Sequence, residues 1–217
     1  MTHKFLTLII LFSAVFFIRS NGQDTNKSFD YGIVEMNIYR NAFFDFEMVL
    51  PDEWVVQSRD QIEHLKKRGK ALVAGENQNM KAMLNASDIS SAYLLAAFQF
   101  EAGSAVDFNP SIAIIAENVK NFPGIKSGKE YLFHASRLME QSQLKYKHID
   151  KEFAALEING TTFHVLNAGI KVVGGETHQR YFVTIKEGFS FIVCITYSNS
   201  QQEEMLLQSI NSMKFSQ

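Results

Sequence analysis

Apolar residues recur along the chain in two periods. After Ser127, residues Tyr131, Leu132, Ala135, Leu138 and Met139 fall on one face of a 3.6-residue repeat. Leu206, Leu207, Ile210 and Met213 do the same after Ser200, and Ile62, Leu65 and Leu72 form a weaker stripe after Ser58. Each stripe follows an S-x-x-E/Q box: Ser58 to Gln61, Ser127 to Glu130 and Ser200 to Glu203. In such a box the serine oxygen accepts the backbone N–H three residues on, and the acid or amide reaches back to the serine N–H. Three capped helices are therefore predicted, with a short fourth over Asn79 to Leu84.

Period-2 segments predict strands over Ile33 to Tyr39, Phe43 to Leu50, Ala92 to Phe100 and Ser111 to Glu117. In the second, Phe44, Phe46, Met48 and Leu50 alternate with Asp45 and Glu47, and Pro51 ends the run. Farther on, turn signals set the register. Asn159-Gly160 and Gly174-Gly175 read as two-residue turns, and Lys186-Glu187-Gly188 as a longer one. These turns pair Leu166 with Val183, Ala168 with Tyr181, Lys171 with His178, Val183 with Phe191 and Tyr181 with Val193. One face then carries Leu166, Ile170, Tyr181, Val183, Ile185, Phe189, Phe191, Val193 and Ile195. The other carries Leu156, Ile158, Phe163, Val165, Phe182, Ile192 and Cys194, and at one end Asn167, Lys171, His178, Arg180 and Thr196. A sheet apolar on both faces needs cover on both. The expected class is α+β: an antiparallel meander between helices, an α/β/α sandwich.

The order of these elements resembles the PsbP-like fold family. The resemblance rests on Phe44, Phe46, Leu50, Pro51 and Trp54 in FFDFEMVLPDEW, on RYFVTIKEGFSFIVCITYS, and on a last helix ending LLQSINSMKF. It covers most of Ile33 to Phe215. That fold is shared by photosystem accessory proteins, a Ran-binding nuclear-transport factor and many exported bacterial proteins of unknown role. The resemblance implies partner binding or assembly without catalysis, and it supplies no functional residues to carry over. The leader is similar to those of exported proteins of the Bacteroidetes, which implies the periplasm.

Composition narrows the function classes. Phe5 to Ile18 is apolar, preceded by Lys4 and followed by Ser20 and Gly22. A span needs about 20 residues, so this run suits a signal-peptide core with cleavage after residue 22. Residues 23–30 are polar and read as a flexible leader; 31–217 reads as one PsbP-like domain. Removing 1–22 leaves 19 basic against 23 acidic residues, a net of −4. That balance argues against nucleic-acid binding. No second long apolar run follows, so the mature chain is expected not to span a membrane and to be secreted or periplasmic. Cys194 is the single cysteine, which excludes an internal disulfide and a cysteine-pair zinc site. Its apolar setting reads as a buried thiol.

Candidate chemistry is sparse. FPGIKSGKEYLF, Phe122 to Phe133, has the sound of a phosphate loop. Only three residues separate Gly124 from Gly128, however, and Glu130 stands where a P-loop needs a hydroxyl. His64, His134, His148, His164 and His178 form neither HxH nor HExxH, and His164 reads as a packed, hydrogen-bonded imidazole. No G-x-S-x-G elbow occurs, and the Gly103-Ser104 pair reads as a loop. No catalytic, cofactor or metal residue is assigned. The one candidate site is a docking patch for an acidic partner or an anion, Lys171, His178 and Arg180; its simpler reading is a solvated sheet end. The expected function is an exported non-catalytic domain that binds a partner protein or supports an envelope assembly. The alternatives are a carrier of a small apolar ligand and an unrecognised hydrolase.

Overall fold

The computed structural model describes residues 27–102, 104–172 and 175–216. The expected signal segment, residues 23–26 of the expected leader, Gly103, Val173 and Gly174 lie outside them. Three short strands come first: β1 (Ile33–Glu35), β2 (Ile38–Asn41) and β3 (Phe46–Val49). The run from Ile33 to Tyr39 is thus a hairpin and not one strand. Met36 and Asn37 both take left-handed backbone, φ 47° and 60°, and let Glu35 face Ile38. Asp45, at φ 51°, likewise delays the second expected strand to Phe46. Phe29, inside the expected leader, packs its ring 5.0 Å from Phe43 and 5.6 Å from Phe189.

β4 (Val55–Val56) leads into α1 (Arg59–Ala74), where Ser58 and Gln61 form the expected capping box. α2 (Gln78–Ser87) extends the short helix read over Asn79 to Leu84, because the Asn77 side chain caps it by accepting from the Met80 N–H. Then come β5 (Ser91–Phe98), β6 (Ser111–Asn118) and α3 (Gly128–Gln141), capped by Ser127 and Glu130 as the sequence indicates. After β7 (Tyr146–Ile149) the chain makes a long meander: β8 (Ala154–Ile158), β9 (Thr161–Val172), β10 (Gly175–Lys186) and β11 (Phe189–Tyr197). It closes with α4 (Ser200–Ser212) and β12 (Lys214–Phe215). The cap of α4 lies one residue earlier than the box at Ser200 suggests: the Asn199 side chain accepts from the Gln202 N–H, 3.0 Å.

Two antiparallel sheets result. The larger runs β4-β5-β6-β11-β10-β9-β7, with β8 also on β9; the smaller runs β1-β2-β3-β12. Helices cover one face of the large sheet. Tyr131, Leu132, Leu138 and Met139 of α3 share a core there with Leu166, Ile170, Tyr181 and Val183, together with Val73 of α1 and Met80 of α2. On the other face, Leu206 and Ile210 of α4 and Phe46 and Met48 of the small sheet close over Phe163, Phe182, Phe191 and Val193. The fold is of the mixed α+β class, with helices on both faces and the small sheet sharing the second.

The register differs from the sequence reading in two places. Glu187-Gly188 is a two-residue turn, φ 52° and 79°, so Lys186 faces Phe189 and Tyr181 faces Cys194. Both turn residues are left-handed, which matches the twist of the flanking strands. Shortening the turn by one residue inverts the whole of β11. Phe191, Val193 and Ile195 point to the small sheet and α4, while Ile192 and Cys194 lie on the α3 side. Between β9 and β10, Val172 faces Gly175. That slides every partner by two residues and keeps the faces: Leu166 faces Tyr181, and Lys171 faces Glu176 and not His178.

Candidate docking edge

Lys171, His178 and Arg180 do share one face at the far end of β9 and β10, but not as a basic patch. Arg180 lies opposite Asn167 and donates from Nε to its Oδ1, 2.6 Å. Its guanidinium also reaches Glu203 Oε1 of α4, 2.6 Å. Asn167 in turn donates from Nδ2 and from its backbone N–H to Asp150 Oδ2, 2.7 and 2.8 Å, and His148 Nε2 sits 2.6 Å from Asp150 Oδ1. Partial burial works to raise the Asp150 carboxyl, but the Asn167 and His148 contacts outweigh it and hold it below the ordinary carboxylate range. The His178 ring stacks on Tyr197, centroids 5.5 Å apart, with Nδ1 3.7 Å from Glu176. Glu176 also pairs with Lys147, 2.7 Å. Lys147, Lys171 and Arg180 are thus interleaved with Asp150, Glu176 and Glu203. Arg180 bridges the sheet to α4 and is only about one-quarter exposed.

At the start of α3, Glu130 occupies the place a phosphate would take. Its Oε2 accepts the Ser127 N–H, 2.8 Å, and the Ser127 hydroxyl. The Ser127 contact leads in holding its carboxyl below the ordinary range. Cys194 is buried, and burial pushes its thiol up to about 12. His164 packs beside Gly128, but its buried Nδ1 has no hydrogen-bond partner among the described residues, unlike the satisfied imidazole the sequence suggests. Among the described residues, no three His, Cys, Asp or Glu side chains gather as a metal site.

The feature that sequence reasoning missed is the open edge of β8. This strand pairs with β9 alone, beside β7 in the chain but off the main path of the sheet, so among the described strands its other edge is open. Asn159 and Gly160, φ 47° and 81°, make a two-residue turn that closes on the Ile158–Thr161 pair. Such a turn makes its closing pair hydrogen-bonded, and bonded pairs then alternate. Ile158, Leu156 and Ala154 therefore bond to β9, and Ala155 and Glu157 turn their N–H and C=O groups outward. Ala154, Ala155, Leu156 and Glu157 are all exposed, Leu156 by 42%.

The other edges are better defended. β4 and β12 have two residues each and β1 has three. β7 has four, broken by a register shift between Tyr146 and His148, and it carries Lys147. Short, bulged and lysine-bearing edges resist strand addition, and β8 has none of these devices.

A groove adjoins the head of this strand. It is open, encloses ≈ 760 Å³, and is lined by Lys129, Phe133 and His134 of α3 and by Lys151, Phe153 and Ala154. Phe133 is 47% exposed, with the Arg137 guanidinium 4.5 Å from its ring centre. Such an exposed aromatic beside an open edge offers side-chain pockets along a backbone template. By contrast, the gap between α1 and the sheet, lined by Ile62, Leu65, Tyr93 and Ala96, holds ≈ 20 Å³, room for about one water.

No family model matches the sequence, and no curated protein does. The PsbP-like likeness therefore rests on the residues quoted for it. Among solved structures the chain is similar to LpqN, described as involved in cell envelope biogenesis of Mycobacterium tuberculosis. The identity is 12% and the TM-score 0.40, over 77% of this chain and 78% of that one. Among the described residues, no helix is long and apolar enough to cross a membrane.

Proposed function

We propose that this chain is an exported, non-catalytic binding domain that takes up an extended segment of another polypeptide along β8, in support of an envelope assembly. The observation that carries this reading is the open β8 edge beside the Phe133 groove. Main-chain hydrogen bonds from Ala155 and Glu157 supply affinity, and the groove selects alternate side chains. Export rests on the apolar run Phe5 to Ile18. The non-catalytic part is supported by how the polar side chains are used. The His148–Asp150 pair leans on Asn167, and the Ser127–Glu130 pair caps a helix. The apolar-carrier alternative has little room under α1.

A photo-crosslinking residue placed at Ala155 and, as a control, at Lys67 on the exposed flank of α1 tests the reading in the native envelope. Adducts are expected at Ala155 and not at Lys67. Ala155→Pro removes one outward N–H without touching the β9 ladder, so it should keep the fold and abolish capture by β8. Equal labelling at both sites, or no loss with proline, overturns the reading.

A further inference from the structure

The open edge has an internal asymmetry that says what fits it. Odd positions of β8 face the α3 side, as Phe153 does, and even positions face the small sheet, as Ile158 does. Lys151 stands just before the strand and Glu157 near its end, both exposed. A parallel copy of this segment would set like charges together; an antiparallel copy sets base beside acid.

Resting on strand addition as proposed above, we infer that the segment taken up is β8 of a second copy of this chain. Antiparallel pairing about a two-fold axis at Ala155 matches outward N–H and C=O groups on both strands. It places Ala155 opposite Ala155 of the second copy and Leu156 opposite Ala154 of the second copy. Glu157 falls opposite Phe153 of the second copy and one diagonal step from Lys151 of the second copy, a separation of roughly 7–8 Å that a lysine spans. Alanine at the axis leaves no bulk or charge between the two backbones. The half-exposed Leu156 gains an apolar neighbour on the face opposite α3.

The same axis sets both α3 helices on one face of a continuous sheet. The groove lies between α3 and the segment that leads into β8, so the two grooves lie on the same face, one on either side of the join. Phe133, exposed in the single chain, then lies on that face in both copies. Lys151 exchanges or shares its pairing with Glu140 for Glu157 of the second copy.

The experiment is light scattering on the full chain purified as its host exports it, across a dilution series, with three sets of variants. The wild type is expected at twice the chain mass. Ala155→Lys, which sets two ammonium groups opposite each other at the axis, should raise the dissociation constant about tenfold or more. Lys151→Glu and Glu157→Lys should each weaken pairing about fivefold, since every change acts twice in the dimer, and the double reversal should restore it to within about twofold. Ala155→Cys should link two copies on mild oxidation, because bonded partners sit with Cα atoms about 5.5 Å apart, within disulfide reach. Cys194 is buried and does not interfere. A monomer at every concentration, with no link through residue 155, overturns the second copy as occupant. If a different protein is then captured at Ala155, strand addition stands and only self-pairing falls; if nothing is captured there, both fall.

Discussion

Gly128 sets how close α3 lies to the sheet, and adding one methyl group there tests the arrangement of the whole helical layer. A Cβ on Gly128 would stand 2.1 Å from the Val183 carbonyl oxygen, 2.8 Å from its carbon and 3.2 Å from His164 Cβ. Non-bonded heavy atoms settle at roughly 3.5 Å, so the start of α3 would have to lift by roughly 1 Å. The obstacle is backbone in a central strand pairing, which cannot swing aside. Overpacking of this kind costs about 1–3 kcal/mol, and a backbone obstacle argues for the upper end. Gly-to-Ala in a helix returns up to about 1 kcal/mol, which leaves a net loss of about 2 kcal/mol. For a chain of this size that lowers the melting temperature by about 4–8 °C. Gly124, four residues earlier in the same stretch, is the internal control: nothing lies within 4 Å of its added Cβ. Gly124→Ala should hold or raise the melting temperature, by about 0.4–1 kcal/mol of stabilisation. Thermal melts followed by circular dichroism compare the two. If Gly128→Ala melts within a degree of the wild type, α3 does not sit on Val183 as described.

Three further outcomes concern other parts of the molecule. Asn199→Ala should cost about 1 kcal/mol in urea unfolding, because it removes the cap of α4, while Ser200→Ala should cost less than about half of that; equal losses would return the cap to Ser200. Asp150 has its folded carboxyl held low, so its contribution is present above the unfolded value near pH 4 and is lost as pH falls below it. The urea midpoints of wild type and Asp150→Asn should therefore differ at pH 7 and draw together as pH falls from the unfolded value through the lowered folded one, and a constant gap would refute the linkage. Cys194, buried and with its thiol pushed up to about 12, should react with a thiol reagent only at the rate of unfolding, and a fast native reaction would contradict its placement.

What the sequence discloses is mostly local chemistry. Ser58 with Gln61 and Ser127 with Glu130 cap helices as read, because a capping box is decided within four residues. Asn159-Gly160 turns the chain as read for the same reason. At Ser200 two neighbours could both cap, and Asn199 does so. The turn before Phe189 reads one residue too long because Lys186, Glu187 and Gly188 all suit a turn; that single position decides which face of β11 meets α3. Met36-Asn37 carries no glycine and gives no plain turn signal, although asparagine tolerates left-handed backbone. β7, β4 and β12 are too short to show a period. The candidate site is illegible for a deeper reason. Lys171, His178 and Arg180 can be placed on one face, but not Glu203 of α4 and Asp150 after β7, which interleave with them. Whether a strand is an edge depends on which strands come to lie beside it, and no property of Ala154 to Ile158 encodes that.

The order in which strands meet has a consequence for how the chain is made. β3 finds its outer neighbour in β12, where Phe46 faces Phe215, and β6 must wait for β11 to pair Ile114 with Val193. Both sheets therefore need the last few dozen residues. During synthesis the amino-terminal half can form hairpins, helices and the small cluster of Ile62, Ala96, Phe98 and Ala113, but neither of the two larger cores. The meander from β8 to β11 can assemble from neighbours alone, and its completion would draw the earlier strands in, a slow step because long loops must close first. A chain cut short before residue 214 would lack β12, the strand that closes its small sheet against β3.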